Sequence, residues 1–154
     1  MADTGGFRIG LQHPLEKHIL KTFEIDRAAL ERMAFFLLAH VLVDTRLIAT
    51  AMFKKVSEGG GLPLPEIERI ACEVSRGTFG RHLKAVRHLI PSRCVAIAEK
   101  LNDARNDLLH WTPDRFSGPR YDGQDVSAEA GFQACMNDAL QFIQTVPLNM
   151  NRLQ

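Results

Sequence analysis

The six residues Arg105-Asn106-Asp107-Leu108-Leu109-His110 close a long apolar-periodic segment and combine three side chains that suit phosphate chemistry. Arginine stays cationic at any ordinary pH and meets a phosphate with two parallel N–H donors. Imidazole exchanges a proton near neutrality. Cleavage of RNA by transesterification needs a base for the 2′-hydroxyl, an acid for the leaving oxygen and positive charge on the phosphorane as it forms. His110 is placed to move the proton, Arg105 to meet the phosphate charge, and Asn106 to orient either the imidazole or a phosphate oxygen. At about 100° per residue Arg105 and His110 differ by roughly 140° around a helix, whereas Asp103, Asn106 and His110 align at i, i+3, i+7. One helix alone makes a poor site, and two copies about a symmetry axis would gather both sets around one groove.

Arg8 to His13, Arg76 to His82 and Arg81 to His88 repeat the spacing, so context has to choose. Only Arg105 to His110 is followed directly by a polar amide and sits at the end of an apolar-periodic helix. An arginine, four to six residues and a histidine, with a polar residue after the arginine, near the end of a long helix, resembles the HEPN domains (higher eukaryotes and prokaryotes nucleotide-binding). The likeness covers the motif specifically and the helical layout loosely. It implies a small helical bundle, commonly a homodimer. Many members are metal-independent endoribonucleases of toxin, antiphage or RNA-processing systems, and others are non-catalytic interaction or regulatory proteins, similar to the mannitol-operon repressor. The partners it implies are a second copy, RNA, and an antitoxin or regulatory protein.

Two further groups of polar residues bear on that site. His40 and Asp44, spaced i, i+4 in apolar surroundings, are candidates to support it, together with Asp103. From Val74 through Ala98 there is no acidic residue, while Arg76, Arg81, Lys84, Arg87 and Arg93 supply positive charge beside His82 and His88. Arg81, Lys84 and His88 share one helix face, and with Arg87 they are the candidate RNA contacts. A formal net charge of +1 over the whole chain makes this local block the informative feature.

The remaining sequence supplies the elements that would hold these groups. Helix formers dominate and β-branched and aromatic residues are sparse, so the expected fold is an all-α bundle of about five to six helices with two long central ones. Residues 1–12 read as a flexible N-terminus and 13–150 as a single domain. Pro14 opens a short first helix at its N1 position. Asp26 caps a long second helix to about Val56, with residues 30, 33, 34, 37, 38, 41, 48 and 52 taken as its buried face. Ser57 to Pro65 is a break, Glu66 to Ser75 a third helix, and Thr78 to Leu89 a fourth. A fifth runs from a Ser92 cap to His110 or Trp111, 112–124 is a polar loop, and 126–146 is the last helix. No heptad run is expected. Cys72, Cys94 and Cys135, odd in number and without a secretory signal, read as reduced thiols of a cytoplasmic protein. Residues 33–53 are long enough to span a membrane, but His40, Asp44 and Arg46 in the middle argue for a core helix and no membrane. Histidines and cysteines lack ligand spacing and no phosphate loop follows a strand, so no metal and no cofactor are expected.

Overall fold

The computed structural model describes residues 13–111 and 118–148; the expected flexible N-terminus, with Arg8, and the chain after 148 lie outside the described residues. The first helix, α1 (Pro14–Phe23), starts on Pro14 with the His13 ring accepting from the Leu15 amide at 3.2 Å. It stops at Glu24, which takes a left-handed conformation at φ 51°. Asp26 then caps α2 (Arg27–Gly59) by accepting from the Ala29 amide at 2.7 Å. At 33 residues α2 is the backbone of the fold. It runs three residues past the expected end and closes on Gly60 at φ 55°, where the lack of a Cβ makes the left-handed conformation inexpensive.

Three helices follow. They are α3 (Leu64–Ser75), α4 (Phe79–Val86) and α5 (Ser92–Leu109). The fourth ends three residues before the expected boundary; Thr78 stands outside it as the N-cap. Pro91 rather than Ser92 is the residue before α5, and Ser92 is its first helical position. The expected polar loop holds a hairpin instead, β1 (Arg120–Tyr121) against antiparallel β2 (Gln124–Asp125), while 112–117 lie outside the described residues. Asp122 and Gly123 both have positive φ, 51° and 79°, as the tight turns that suit twisted hairpins require. The last helix is α6 (Glu129–Thr145), shorter at its start than expected because residues 126–128 form a turn that follows β2, with Ala128 as the N-cap.

The second helix buries a different face from the one its sequence suggested. Ala29, Met33, Phe36, Ala39, His40, Val43, Leu47, Thr50 and Ala51 turn inward, whereas Ala34, Leu37, Leu38 and Val41 are exposed. Apolar residues surround this helix on all sides between 33 and 53, so periodicity alone had no polar face to count against. Charge settled the matter. Arg46 turns toward the end of α6 and donates to the carbonyls of Ile143 at 3.1 Å and Val146 at 2.9 Å, two of the acceptors a helix end leaves open. At the start of α6, Arg32 reaches the Glu129 carboxylate at 2.9 Å and the Ser127 carbonyl at 2.9 Å. Those two arginines fix which side of α2 faces α6.

On the other flank His82 joins three helices. Its Nδ1 donates to Asp44 Oδ1 of α2 at 2.7 Å, and its Nε2 lies 2.8 Å from the Val74 carbonyl of α3. The expected basic surface therefore loses His82, which is 3% exposed, and keeps Arg81, Lys84, Arg87 and His88, all exposed. Spacing explains the difference: His82 follows Phe79 by three residues and so falls on the apolar side with Leu83 and Val86. Cys94 and Cys135 are buried free thiols and Cys72 an exposed one. Burial pushes the Cys135 thiol up to about 12.

Candidate functional site

The fifth helix is held from both sides, and that fixes where its last turns point. Leu101, Ala104 and, in part, Leu108 enter the core. The hairpin covers a neighbouring flank: Lys100 pairs with Asp122 at 2.9 Å, Asp107 accepts from the Arg120 amide at 3.4 Å, and the buried Tyr121 donates its hydroxyl to Asp138 at 2.7 Å. What remains is the flank carrying Asn102, Arg105 and Asn106, all half-buried, which turns toward α2.

There Arg105 meets His40. The two are close enough for the guanidinium charge to oppose protonation of the imidazole. His40 is 8% exposed, its ring stacks on Phe79 of α4 with centroids 4.4 Å apart, and its Nε2 is buried without a hydrogen-bond partner. Asn102 of α5 acts on the same ring. Burial is the main influence on this ring and carries its pKa below the ordinary value; Asp44 pulls it up, Arg105 pushes it down and the Asn102 bond pulls it up. Burial thus favours the neutral ring, the less costly state for an imidazole away from water.

The i, i+4 pairing expected of His40 and Asp44 is only electrostatic, because Asp44 spends its carboxylate on His82. Among the described residues Arg105 has a single hydrogen bond, from Nη1 to its neighbour Asn106 Oδ1 at 3.4 Å. The ion pair that would make it an ordinary surface arginine is missing there: Glu99 binds Arg87 at 3.4 Å, and Asp103 is exposed with no partner among the described residues. His110 forms the C-cap of α5; its amide donates to the Asn106 carbonyl at 3.0 Å while its side chain is exposed. The structure therefore gathers Arg105, Asn106 and His40 and adds Asn102 and Phe79. It leaves His110 at the rim and Asp103 outside.

No family model, curated protein or solved structure matches the chain. Of the two residues that sequence reasoning passed over, Asn102 was legible, since it stands at i, i+4 to Asn106 on the same flank. Phe79 was not, because its contact with His40 spans 39 positions and depends on how α4 crosses α2. Arg81 and Lys84 follow Phe79 along α4 and carry no side-chain ion pair among the described residues, whereas Arg87 is partly neutralised by Glu99. A separate cleft of about 320 Å³ between α2, α3 and α4 is lined by Lys54, Lys55, Glu73 and Arg81, and none of the motif residues reaches it. Lys55 and Glu73 pair across it at 2.9 Å, so its charges largely cancel. Among the described residues no three His, Cys, Asp or Glu side chains stand together as metal ligands.

His40 gives a pH test of this geometry. In the unfolded chain its pKa is the ordinary 6.5, and in the fold it is lower. Below pH 6.5 the unfolded state therefore binds more protons, so the stability contribution of a neutral His40 is complete above that pH and is lost as pH falls toward the folded value. Urea unfolding of the natural chain and His40→Leu between about pH 7.5 and 5 should show the natural chain weakening more steeply on acidification. Parallel curves would mean that the ring titrates freely in the fold.

Proposed function

We propose that this chain is a HEPN-like, metal-independent endoribonuclease acting as a homodimer, of the kind that serves as a toxin or in antiphage or RNA-processing systems. The observation that carries the reading is Arg105: a half-buried arginine near the end of α5 with no carboxylate among the described residues to neutralise it. Burying a cation costs free energy unless an anion completes its surroundings. An RNA phosphodiester supplies that anion with the geometry a guanidinium fork favours. Asn106 beside it positions a phosphate oxygen, and His110, exposed at the helix cap, is open to a substrate proton. Arg81 and Lys84 on α4, with Arg87 and His88 beyond them, offer the neighbouring phosphates a track.

In the step envisaged the 2′-oxygen loses its proton and attacks phosphorus, the bond to the 5′-oxygen breaks, and that oxygen gains a proton; the products are a 2′,3′-cyclic phosphate and a 5′-hydroxyl. Incubation of the full chain with mixed RNA in EDTA tests this directly. Cyclic-phosphate ends that form without divalent metal and vanish in His110→Ala support the enzyme. Intact RNA under all conditions counts against it.

A second reading is a non-catalytic HEPN-like interaction or regulatory protein, similar to the mannitol-operon repressor. It is favoured by the exposed His110 side chain, which makes no hydrogen bond to Arg105, Asn106 or His40 among the described residues. It predicts a stable helical dimer that cuts no RNA and keeps a protein partner, such as an antitoxin, on its surface.

A further inference from the structure

The outward side of α2 carries a second, independent feature. Phe35, Leu38, Leu42, Thr45, Ala49 and Met52 recur at alternating steps of three and four; the first four are exposed and the last two half-buried, Met52 partly against the core. Phe35 and Leu38 are each 60% exposed. A 3-4 alternation is the spacing that lets one helix pack along another, so a heptad-like seam is present where the sequence alone had shown none. No charge interrupts it. The only charged residues of α2 between Met33 and Phe53 are Asp44, bound to His82, and Arg46, bound to the end of α6. Even Thr45 keeps its polar group occupied, because its hydroxyl donates back to the Val41 carbonyl at 2.9 Å.

From these observations we infer that the outer face of α2 seats the same face of a second copy, the two helices running antiparallel about a twofold axis between Leu42 and Thr45. The seam is self-complementary in that arrangement. Phe35 then faces Met52, Leu38 faces Ala49 and Leu42 faces Thr45, so each larger side chain meets an equal or smaller one. The small Ala49 leaves room for Leu38 to enter, as a knob enters a hole. The stripe from 34 to 53 is about 30 Å long. With Leu37, Val41 and Phe53 at its margins it presents on the order of 600 Å² of apolar side chain, at the top of the range for a monomer's largest patch. Two such faces would bury on the order of 1,200 Å² together, the lower end of the standard interface range. A lipid bilayer is the competing occupant, since α2 is long and apolar enough to cross one. It fits less well, because the opposite side of the same helix is already committed to α3, α4 and α6 and lipid needs no 3-4 register.

This dimer rests on the seam and not on the motif, and it is not the arrangement that would gather two motifs around one groove. His40, which marks the Arg105 cluster, stands about 160° around α2 from Leu38. Each cluster is therefore separated from the other copy by α2 itself, which departs from the single shared groove expected of the motif.

Light scattering on the full chain after gel filtration tests the inference. The expected mass is twice 17.3 kDa. Leu38→Glu removes a central apolar anchor, and Ala49→Lys fills its hole with an unpaired charge. Each should raise the dimer dissociation constant at least about 30-fold. The double variant should recover the dimer, because position 38 of one copy faces position 49 of the other. Leu38 is mostly exposed within one chain, and a lysine stem at 49 can carry its charge out to water, so helical circular dichroism should be unchanged in both. A monomeric natural chain, whether or not it binds vesicles of neutral and anionic lipid, overturns the proposal, as does a dimer indifferent to Leu38→Glu or a double variant that stays monomeric. A dimer that cuts no RNA leaves this inference standing and removes the enzyme.

Discussion

On the ribonuclease reading proposed above, Arg105→Ala is expected to lower the rate of RNA cleavage by about a thousandfold, or roughly 4 kcal/mol on the barrier, while leaving the fold in place. The size of the effect follows from the arginine's position. It is the one motif residue that combines a fixed positive charge with partial burial, where an interaction with developing phosphorane charge is least screened by water. The fold tolerates its loss because its sole hydrogen bond among the described residues is the 3.4 Å contact with Asn106. Arg105→Lys should restore only a small part of the activity, since an ammonium keeps the charge and loses the planar fork. A second readout needs no RNA. Removing the guanidinium removes one of the two influences that hold the His40 pKa down, so the ring's proton NMR titration in Arg105→Ala should move to higher pH. Full cleavage by Arg105→Ala would end the proposed role; an unchanged His40 titration would show that the two side chains do not sense each other.

The largest effect on stability should come from Gly131→Ala. Gly131 lies in the first turn of α6, buried where the chain passes from the hairpin into the helix, and a Cβ there would run into the Asp125 carbonyl oxygen. In an open helix alanine is the better residue by about 1 kcal/mol. Here the obstacle is backbone rather than a side-chain tip, so the hairpin would have to move. That movement disturbs the Asp125 contacts to the Ser127 amide at 2.8 Å and hydroxyl at 2.7 Å, and the Ser127 carbonyl that Arg32 holds. Overpacking of this kind costs about 3 kcal/mol. For a chain of this size such a loss lowers the melting temperature by about 10 °C. A calorimetric scan showing equal or higher stability would mean that helix propensity outweighs the close approach.

Much of the helical layout was legible from local chemistry. Pro14 and Asp26 start helices because a missing amide hydrogen and a short carboxylate are useful only there. Gly60 stops one because a residue without a Cβ takes the left-handed conformation cheaply, and Pro63 and Pro65 open the next. The hairpin was missed although Asp122-Gly123 is the residue pair its turn favours, because strands of two residues leave no alternation to read. The burial of α2 was misread for a related cause: a helix apolar on every side has no preferred face until something packs on it.

The motif itself, Arg105 with Asn106 and His110 at a helix end, was determined by the sequence alone, since spacing along one helix fixes angle and order. Its surroundings were not. Only the tertiary structure decided that His40 is the buried neighbour of Arg105, that Asp44 belongs to His82, and that the long apolar helix leaves an uncharged seam outside. Each of those outcomes is a competition among several helices for the same side chain, and such a competition is settled by how the helices cross, which no local spacing encodes.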